Sequence, residues 1–112
     1  MRIGELAARS GVSVRALRYY EERGLLAPRR TATGYRVFEH DDVDTVGRIQ
    51  TLLRAGLGTE LIAQILSCMS GEELLLGDCR ERLGVERGRM TADITRLVEA
   101  RTLLDELLEA PV

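Results

Sequence analysis

The side chains with the most evident chemistry lie on one face of a short helix predicted near the N-terminus. Arg15, Arg18 and Tyr19 are spaced by three and four positions, so a helix places them together. The apolar positions of the same segment fall on the other face and are expected to pack inward: Val14, Leu17 and Tyr20. In a DNA major groove a guanidinium can bond a guanine edge or a phosphate, and a phenol can donate to a phosphate. The helix face therefore suits duplex DNA.

A second basic cluster lies further along the chain. It comprises Arg29, Arg30, Tyr35 and Arg36. Pro28 ends the preceding helix, Thr33-Gly34 marks a loop, and the segment 35–38 has strand-forming residues. The pattern predicts a small two-stranded wing suited to phosphates or to the minor groove. Any single Arg here could equally be a solvated surface charge, but a basic helix face combined with a basic wing favours a DNA interface.

The charge is distributed unevenly along the chain. Residues 1–40 contain eight Arg and four Glu, a net charge of +4, whereas residues 41–112 carry a net charge of −6. A basic first third on an acidic remainder indicates a polyanion-binding face attached to a part that need not touch the polyanion. All sixteen cationic side chains are Arg, which a GC-rich coding sequence explains as well as any functional demand does.

The sequence excludes several other classes of function. One histidine, no Gly-rich phosphate loop and no Ser/His/Asp arrangement argue against an enzyme. No apolar run is long enough to span a membrane, and Glu5 precedes any apolar stretch, which is unlike a secretory signal. We therefore expect a cytoplasmic protein that needs no cofactor.

Two cysteines, Cys68 and Cys79, are too few to staple a small secreted fold. Without further thiolates or imidazoles, they do not complete a three- or four-ligand metal shell, so no metal site is expected. A thiol redox switch through the pair is one possibility, since Arg80 and Arg82 would favour a thiolate. The interpretation we favour is that Cys68 packs as a small apolar residue and Cys79 fills the seam of a long helix.

The elements that must position the basic residues are mainly helical. Ile3, Leu6 and Ala7 mark a first helix that Gly11 can end, and Ser13 is a suitable N-cap for the second helix, over about 14–23. Two short helices joined by a Gly-containing turn predict a helix-turn-helix. After the wing, a third helix from residue 40 or 41 to Gly56 and a fourth from Thr59 to residue 66 complete a domain over 1–70.

A junction over 71–77 leads to a long helix over 78–110. Its apolar residues recur every seven positions, with further ones on the same side, so they form one seam. The seam residues are Leu83, Met90, Ile94, Leu97, Leu104 and Leu108. Such a helix needs a partner, and the simplest partner is its own copy, in an antiparallel or a parallel pair. The architecture we expect is mainly α: a winged helix-turn-helix with four helices, followed by a long antiparallel coiled-coil dimerisation helix.

The segments 3–7 and 11–26, with Gly34-Tyr35-Arg36-Val37-Phe38, resemble the opening and the wing of MerR-family transcription regulators. The run 41–66 resembles the helix pair that follows the wing, so the strong match covers about the first 68 residues. Leu-Arg-Tyr-Tyr-Glu together with Gly-Tyr-Arg at this spacing is a specific signal. The resemblance implies DNA contacts at the predicted positions: Arg15, Arg18 and Tyr19 from the recognition helix, and Arg30, Tyr35 and Arg36 from the wing.

The resemblance also implies a mode of action. Members of the family bind as homodimers to near-palindromic operators in promoters whose spacer is over-long, and they distort the DNA so that RNA polymerase meets both promoter elements. Metal-sensing members carry a further cysteine pair beyond the dimerisation helix, which is absent from this sequence. An alternative keeps the fold as an excisionase-like DNA-bending protein or a heterodimeric adaptor, although the long helix counts against the excisionase-like version.

Overall fold

The computed structural model describes residues 1–69 and 77–111. The order of elements is α1 (Ile3–Ser10), α2 (Val14–Glu22), β1 (Arg29–Arg30), β2 (Arg36–Val37), α3 (Asp41–Arg54), α4 (Thr59–Ser67) and α5 (Gly77–Glu109). The chain divides into two compact units, Met1–Ser67 and Cys68–Val112. This confirms the predicted winged helix-turn-helix with a separate long helix.

The turn between α1 and α2 forms as its residues dictate. Gly11 has a φ of 73° and its N–H donates to the carbonyl of Ala7 at 3.0 Å, so glycine closes α1 in the left-handed conformation. The Ser13 hydroxyl accepts a hydrogen bond from the Ala16 N–H at 3.1 Å, which confirms the predicted N-cap of α2. These two caps fix where α2 begins, and thus which of its side chains face outward.

The wing is shorter than its sequence suggests. Strands β1 and β2 pair antiparallel, with Arg29 opposite Val37 and Arg30 opposite Arg36. Phe38, which we expected in the strand, instead lies in the core with 1% of its surface exposed. Its backbone pairs with the first residue, since the Phe38 N–H donates to the Met1 carbonyl and the Met1 amine donates to the Phe38 carbonyl, both at 2.6 Å. The base of the wing is therefore fixed to the N-terminus of the chain.

One apolar core holds the first unit together. Its fully buried members come from every helix of the unit and from the residue that follows the wing: Leu6, Leu17, Phe38, Val46, Ile49 and Ile62. Ile3, Ala7, Val43, Leu52, Leu53 and Leu66 pack against them while only partly buried. The predicted apolar positions of α1 therefore pack inward, and burial of the core residues supplies the main stabilising free energy.

Helix α5 runs for 33 residues without interruption by Gly84 or Gly88. At 1.5 Å per residue it extends about 50 Å. Most of the predicted junction lies outside the described residues, and Gly77 already belongs to α5. No helix in the described ranges is both long enough and apolar enough to cross a bilayer.

Candidate nucleic-acid interface

The outward face of α2 carries the predicted DNA-contacting residues. Arg15, Arg18 and Tyr19 are all exposed, and Tyr19 keeps 46% of its surface open to solvent. Leu17 and Tyr20 are buried on the other side of the same helix. The helix therefore divides as its spacing predicts, and the buried Tyr20 is a core residue rather than a ligand for DNA.

The wing presents a guanidinium stacked on an aromatic ring. The guanidinium carbon of Arg2 lies 4.2 Å from the centre of the Tyr35 ring, which is a cation–π contact. Tyr35 nevertheless remains 53% exposed, and the Arg30 guanidinium donates to the Gly34 carbonyl at 3.3 Å across the turn. Arg2 was missed by the sequence analysis, because its position beside the wing depends on the pairing of Met1 with Phe38, which no local spacing reveals.

An ion pair connects the wing to the recognition helix. Nε of Arg36 donates to a carboxylate oxygen of Glu21, in α2, at 2.8 Å. Both side chains are partly open to solvent, so the pair contributes no more than about 1 kcal/mol to stability. Its effect is to orient Arg36, since the guanidinium keeps further N–H donors besides Nε. A second pair, Arg29 with Glu39 at 3.1 Å, lies at the base of the wing.

Comparison with known proteins identifies the first unit. Residues 1–68 match the model of the MerR HTH family regulatory proteins. The chain belongs to the MerR family. It is a DNA-binding transcription regulator of that family, whose members are regulators rather than enzymes.

Individual relatives extend the MerR likeness beyond the first unit. The HTH-type transcriptional regulator HmrR of Rhizobium leguminosarum bv. viciae is 31% identical over 98% of this chain and 85% of its own length. A MerR family transcriptional regulator from Listeria monocytogenes matches with a TM-score of 0.80 at 28% identity, over 97% of this chain and 83% of that one. HiNmlR, a MerR family regulator lacking the sensor domain and solved bound to promoter DNA, shares the fold with a TM-score of 0.69 at 24% identity, over 95% and 82% of the two chains.

Beyond the MerR domain, α5 exposes an apolar stripe. Four of the six predicted seam residues are exposed, namely Ile94, Leu97, Leu104 and Leu108, whereas Leu83 and Met90 are half-buried. Val98, which the sequence analysis omitted, is 44% exposed and lines a shallow groove with Ile94 and Leu97. Leu103 and Leu107 are also exposed; Leu107, three positions after Leu104, flanks the seam, whereas Leu103 lies on another side of the helix. The stripe is thus an exposed apolar surface along the second half of α5, with Arg101 among its lining residues.

The cysteines differ from our expectation. Cys68 and Cys79 form a disulfide, with their Cα atoms 5.4 Å apart. The favoured interpretation made Cys68 a small apolar residue and Cys79 a residue of the helix seam; Cys68 is indeed buried, but the disulfide between the two was not part of that interpretation. Both are buried, and Cys79 faces Cys68 rather than the stripe. Their spacing contained a signal for this pairing, because residues on either side of a short connection between two helices can approach within disulfide distance.

Metal chemistry finds no support in the two described ranges, 1–69 and 77–111. No group of three or more His, Cys, Asp or Glu side chains there could hold a metal ion.

Proposed function

We propose that this MerR-family chain acts as a homodimer on a near-palindromic operator inside a promoter. The recognition helix α2 reads base edges in the major groove, and the wing grips phosphates through Arg30, Tyr35 and Arg36. The observation that carries the proposal is the pairing of two exposed surfaces on separate units: a basic face on Met1–Ser67 and an apolar stripe on the long helix. One surface binds a nucleic acid, and the other needs a second protein helix.

The proposed dimer is antiparallel because of the charges along α5. Residues 80–89 contain four Arg and two Glu, whereas residues 99–109 contain one Arg and four acidic residues. An antiparallel pair places the basic end of one copy beside the acidic end of the other, while a parallel pair places like charges together. Opposed helix dipoles add to the same preference. With Ile94 of one copy facing Leu97 of the other, the seven-residue repeat brings Leu83 opposite Leu108.

Cysteine cross-linking tests this orientation directly. In a Cys68→Ser/Cys79→Ser background, Leu83→Cys alone should give no cross-linked dimer, because the two copies of residue 83 lie roughly 35 Å apart in an antiparallel pair. Mixing the Leu83→Cys and Leu108→Cys proteins should produce a disulfide-linked dimer under mild oxidation. A dimer formed efficiently by Leu83→Cys alone would mean a parallel pair.

The proposed DNA contacts divide into base-reading and phosphate-binding ones. Arg15→Ala should weaken binding and relax base preference at one position of each half-site, by about 1–3 kcal/mol of discrimination. Arg18→Ala should weaken binding to every sequence and flatten the dependence of affinity on salt. Arg96→Ala, on α5 away from the stripe, is the matched control and should bind as wild type. Anisotropy titrations with operator and random duplexes measure all three. Equal losses for Arg15→Ala and Arg96→Ala would exclude α2 as the reading element.

We propose that the protein acts in the cytoplasm by distorting an over-long promoter spacer. The distortion changes how RNA polymerase binds the two promoter elements. Each base pair adds about 3.4 Å and roughly a tenth of a turn, so a spacer of the wrong length places the two promoter elements on different faces. Footprinting beside the protein's own gene locates the operator. Transcription from a template with a shortened spacer should then no longer depend on the protein, and unchanged dependence would refute distortion. If the purified chain fails to self-associate, the alternative of a heterodimeric adaptor takes its place.

A further inference from the structure

The disulfide lies at the start of the second unit, Cys68–Val112. Cys68 directly follows the last residue of α4, and Cys79 is the third residue of α5. The bond closes a loop with a sequence separation of 11 between the two cysteines. It therefore ties the first residue of the second unit covalently to the first turn of the helix proposed to hold the dimer together.

A permanent disulfide is unexpected in a DNA-binding regulator. Proteins that act on promoter DNA work in a reducing compartment, where disulfides are rare and are mostly catalytic or redox-sensing. The two cysteines of this chain nevertheless lie at bonding distance, buried and facing each other. We infer that Cys68 and Cys79 form a reversible thiol–disulfide site that responds to low-molecular-weight disulfides and changes DNA binding. The inference rests on the proposed function, whose regulation it describes.

The position of the disulfide allows its redox state to affect DNA binding. A dimer that reads two half-sites must hold its two recognition helices at a fixed spacing, about 34 Å for sites one helical turn apart. In each copy, the stretch from Cys68 to Cys79 connects α2's unit to the dimerisation helix. Closing that stretch into a ring removes conformations that the open chain can adopt. The population of dimers with the spacing that the operator demands therefore differs between the two redox states.

The chemistry is an exchange of two thiols for one disulfide. Cys79 reacts first, because it is the more exposed of the two and lies in the first turn of α5, where the helix dipole favours a thiolate and helix ends open locally. Its thiolate attacks a disulfide RSSR, forming a mixed disulfide and releasing RS⁻. The Cys68 thiolate then attacks the Sγ of Cys79 and releases the second RS⁻. Each RS⁻ takes up one of the protons lost by the two cysteines, so the protein dithiol is oxidised and RSSR is reduced to two RSH.

The test uses the full chain in glutathione buffers of varied reduced-to-oxidised ratio. Alkylation and mass measurement report the fraction of disulfide, and anisotropy with the footprinted operator reports affinity. We expect the cysteine pair to be reduced in excess glutathione and oxidised in excess glutathione disulfide. The operator affinity should change at least fivefold between these two states. Cys68→Ser should stop at a glutathione adduct on Cys79, whereas Cys79→Ser should form far less adduct. Both variants should show the same affinity in every buffer.

The reduced wild type serves as the control for folding, since it lacks the bond but keeps both side chains. If it neither dimerises nor binds DNA, the proposed function fails. If it does both, and the oxidised protein binds equally well, the redox inference alone is overturned. A pair that remains oxidised in the most reducing buffer would be a static structural bond and would overturn it too, as would a pair that glutathione disulfide never oxidises.

Discussion

Substitution of Leu97 by Ala should weaken the proposed dimer on the order of a hundredfold. Leu97 is 70% exposed in the single chain and lies in the middle of the apolar stripe. The substitution removes three carbons, each contributing about 0.8 kcal/mol when buried, or about 1.7 kcal/mol per copy after scaling by the exposed fraction. Because the dimer contains two copies, the loss is about 3 kcal/mol, and every 1.4 kcal/mol is about a tenfold change in the dissociation constant.

Sedimentation equilibrium of wild type and variant measures this constant directly. Leu103→Ala is a close control, because it makes the same chemical change on the same helix at a residue that is 55% exposed but lies off the seam. It should leave the dissociation constant within about fivefold of wild type, since surface substitutions change stability by about 0.5 kcal/mol or less, which is about 1 kcal/mol for the two copies. Equal weakening by the two substitutions would show that the seam of Ile94, Leu97 and Leu104 is not the contact surface.

Two further substitutions test the local geometry of the first unit. Gly11→Ala should destabilise it by about 1–2 kcal/mol because Gly11 has a φ of 73°, whereas Gly4→Ala, inside α1, should stabilise it by up to about 1 kcal/mol. Thermal unfolding measures both changes. Because a Cβ at either site meets open space, equal effects of the two substitutions would contradict the backbone argument. Arg2→Ala should lower the affinity for any duplex severalfold and flatten the dependence of affinity on salt. Arg2→Lys should retain most of the affinity and of the salt dependence. If Arg2→Ala leaves the salt dependence unchanged, Arg2 does not belong to the interface.

The helix-turn-helix could be predicted because its signals are local. Gly11 and Ser13 lie within a few residues of the backbone groups they cap. The helical spacing of the apolar residues around Leu6 in α1 and around Leu17 in α2 indicates the buried face of each helix. The exposed face of α2 follows from the same period. In such segments the residue type, the helical repeat and the cap all specify the same structure, so tertiary contacts confirm rather than decide it.

The features that escaped prediction all depend on contacts between distant residues. Arg2 reaches Tyr35 because Met1 pairs with Phe38, and Arg36 reaches Glu21 because the wing folds back toward α2. Each involved residue is an ordinary surface or strand residue when considered alone. The Cys68–Cys79 pair is intermediate: the connection between two helices is visible in the sequence, but whether their ends approach within disulfide distance is a property of the fold.

Operator affinity should depend on protein concentration through the dimer, which links the two exposed surfaces. A single DNA-binding unit contacts one half-site, and joining two units makes the second contact intramolecular, which raises affinity by about 10² to 10⁴ without any new contact to DNA. Leu97→Ala should therefore weaken operator binding at low protein concentration, although Leu97 belongs to the unit Cys68–Val112 and not to the basic face. Raising the protein concentration above the variant's dimer dissociation constant should restore binding. Arg18→Ala should not be restored in this way, because it removes a contact from each half-site. If raising the protein concentration restores both variants equally, the assignment of DNA contact to the first unit and of dimerisation to the second is wrong.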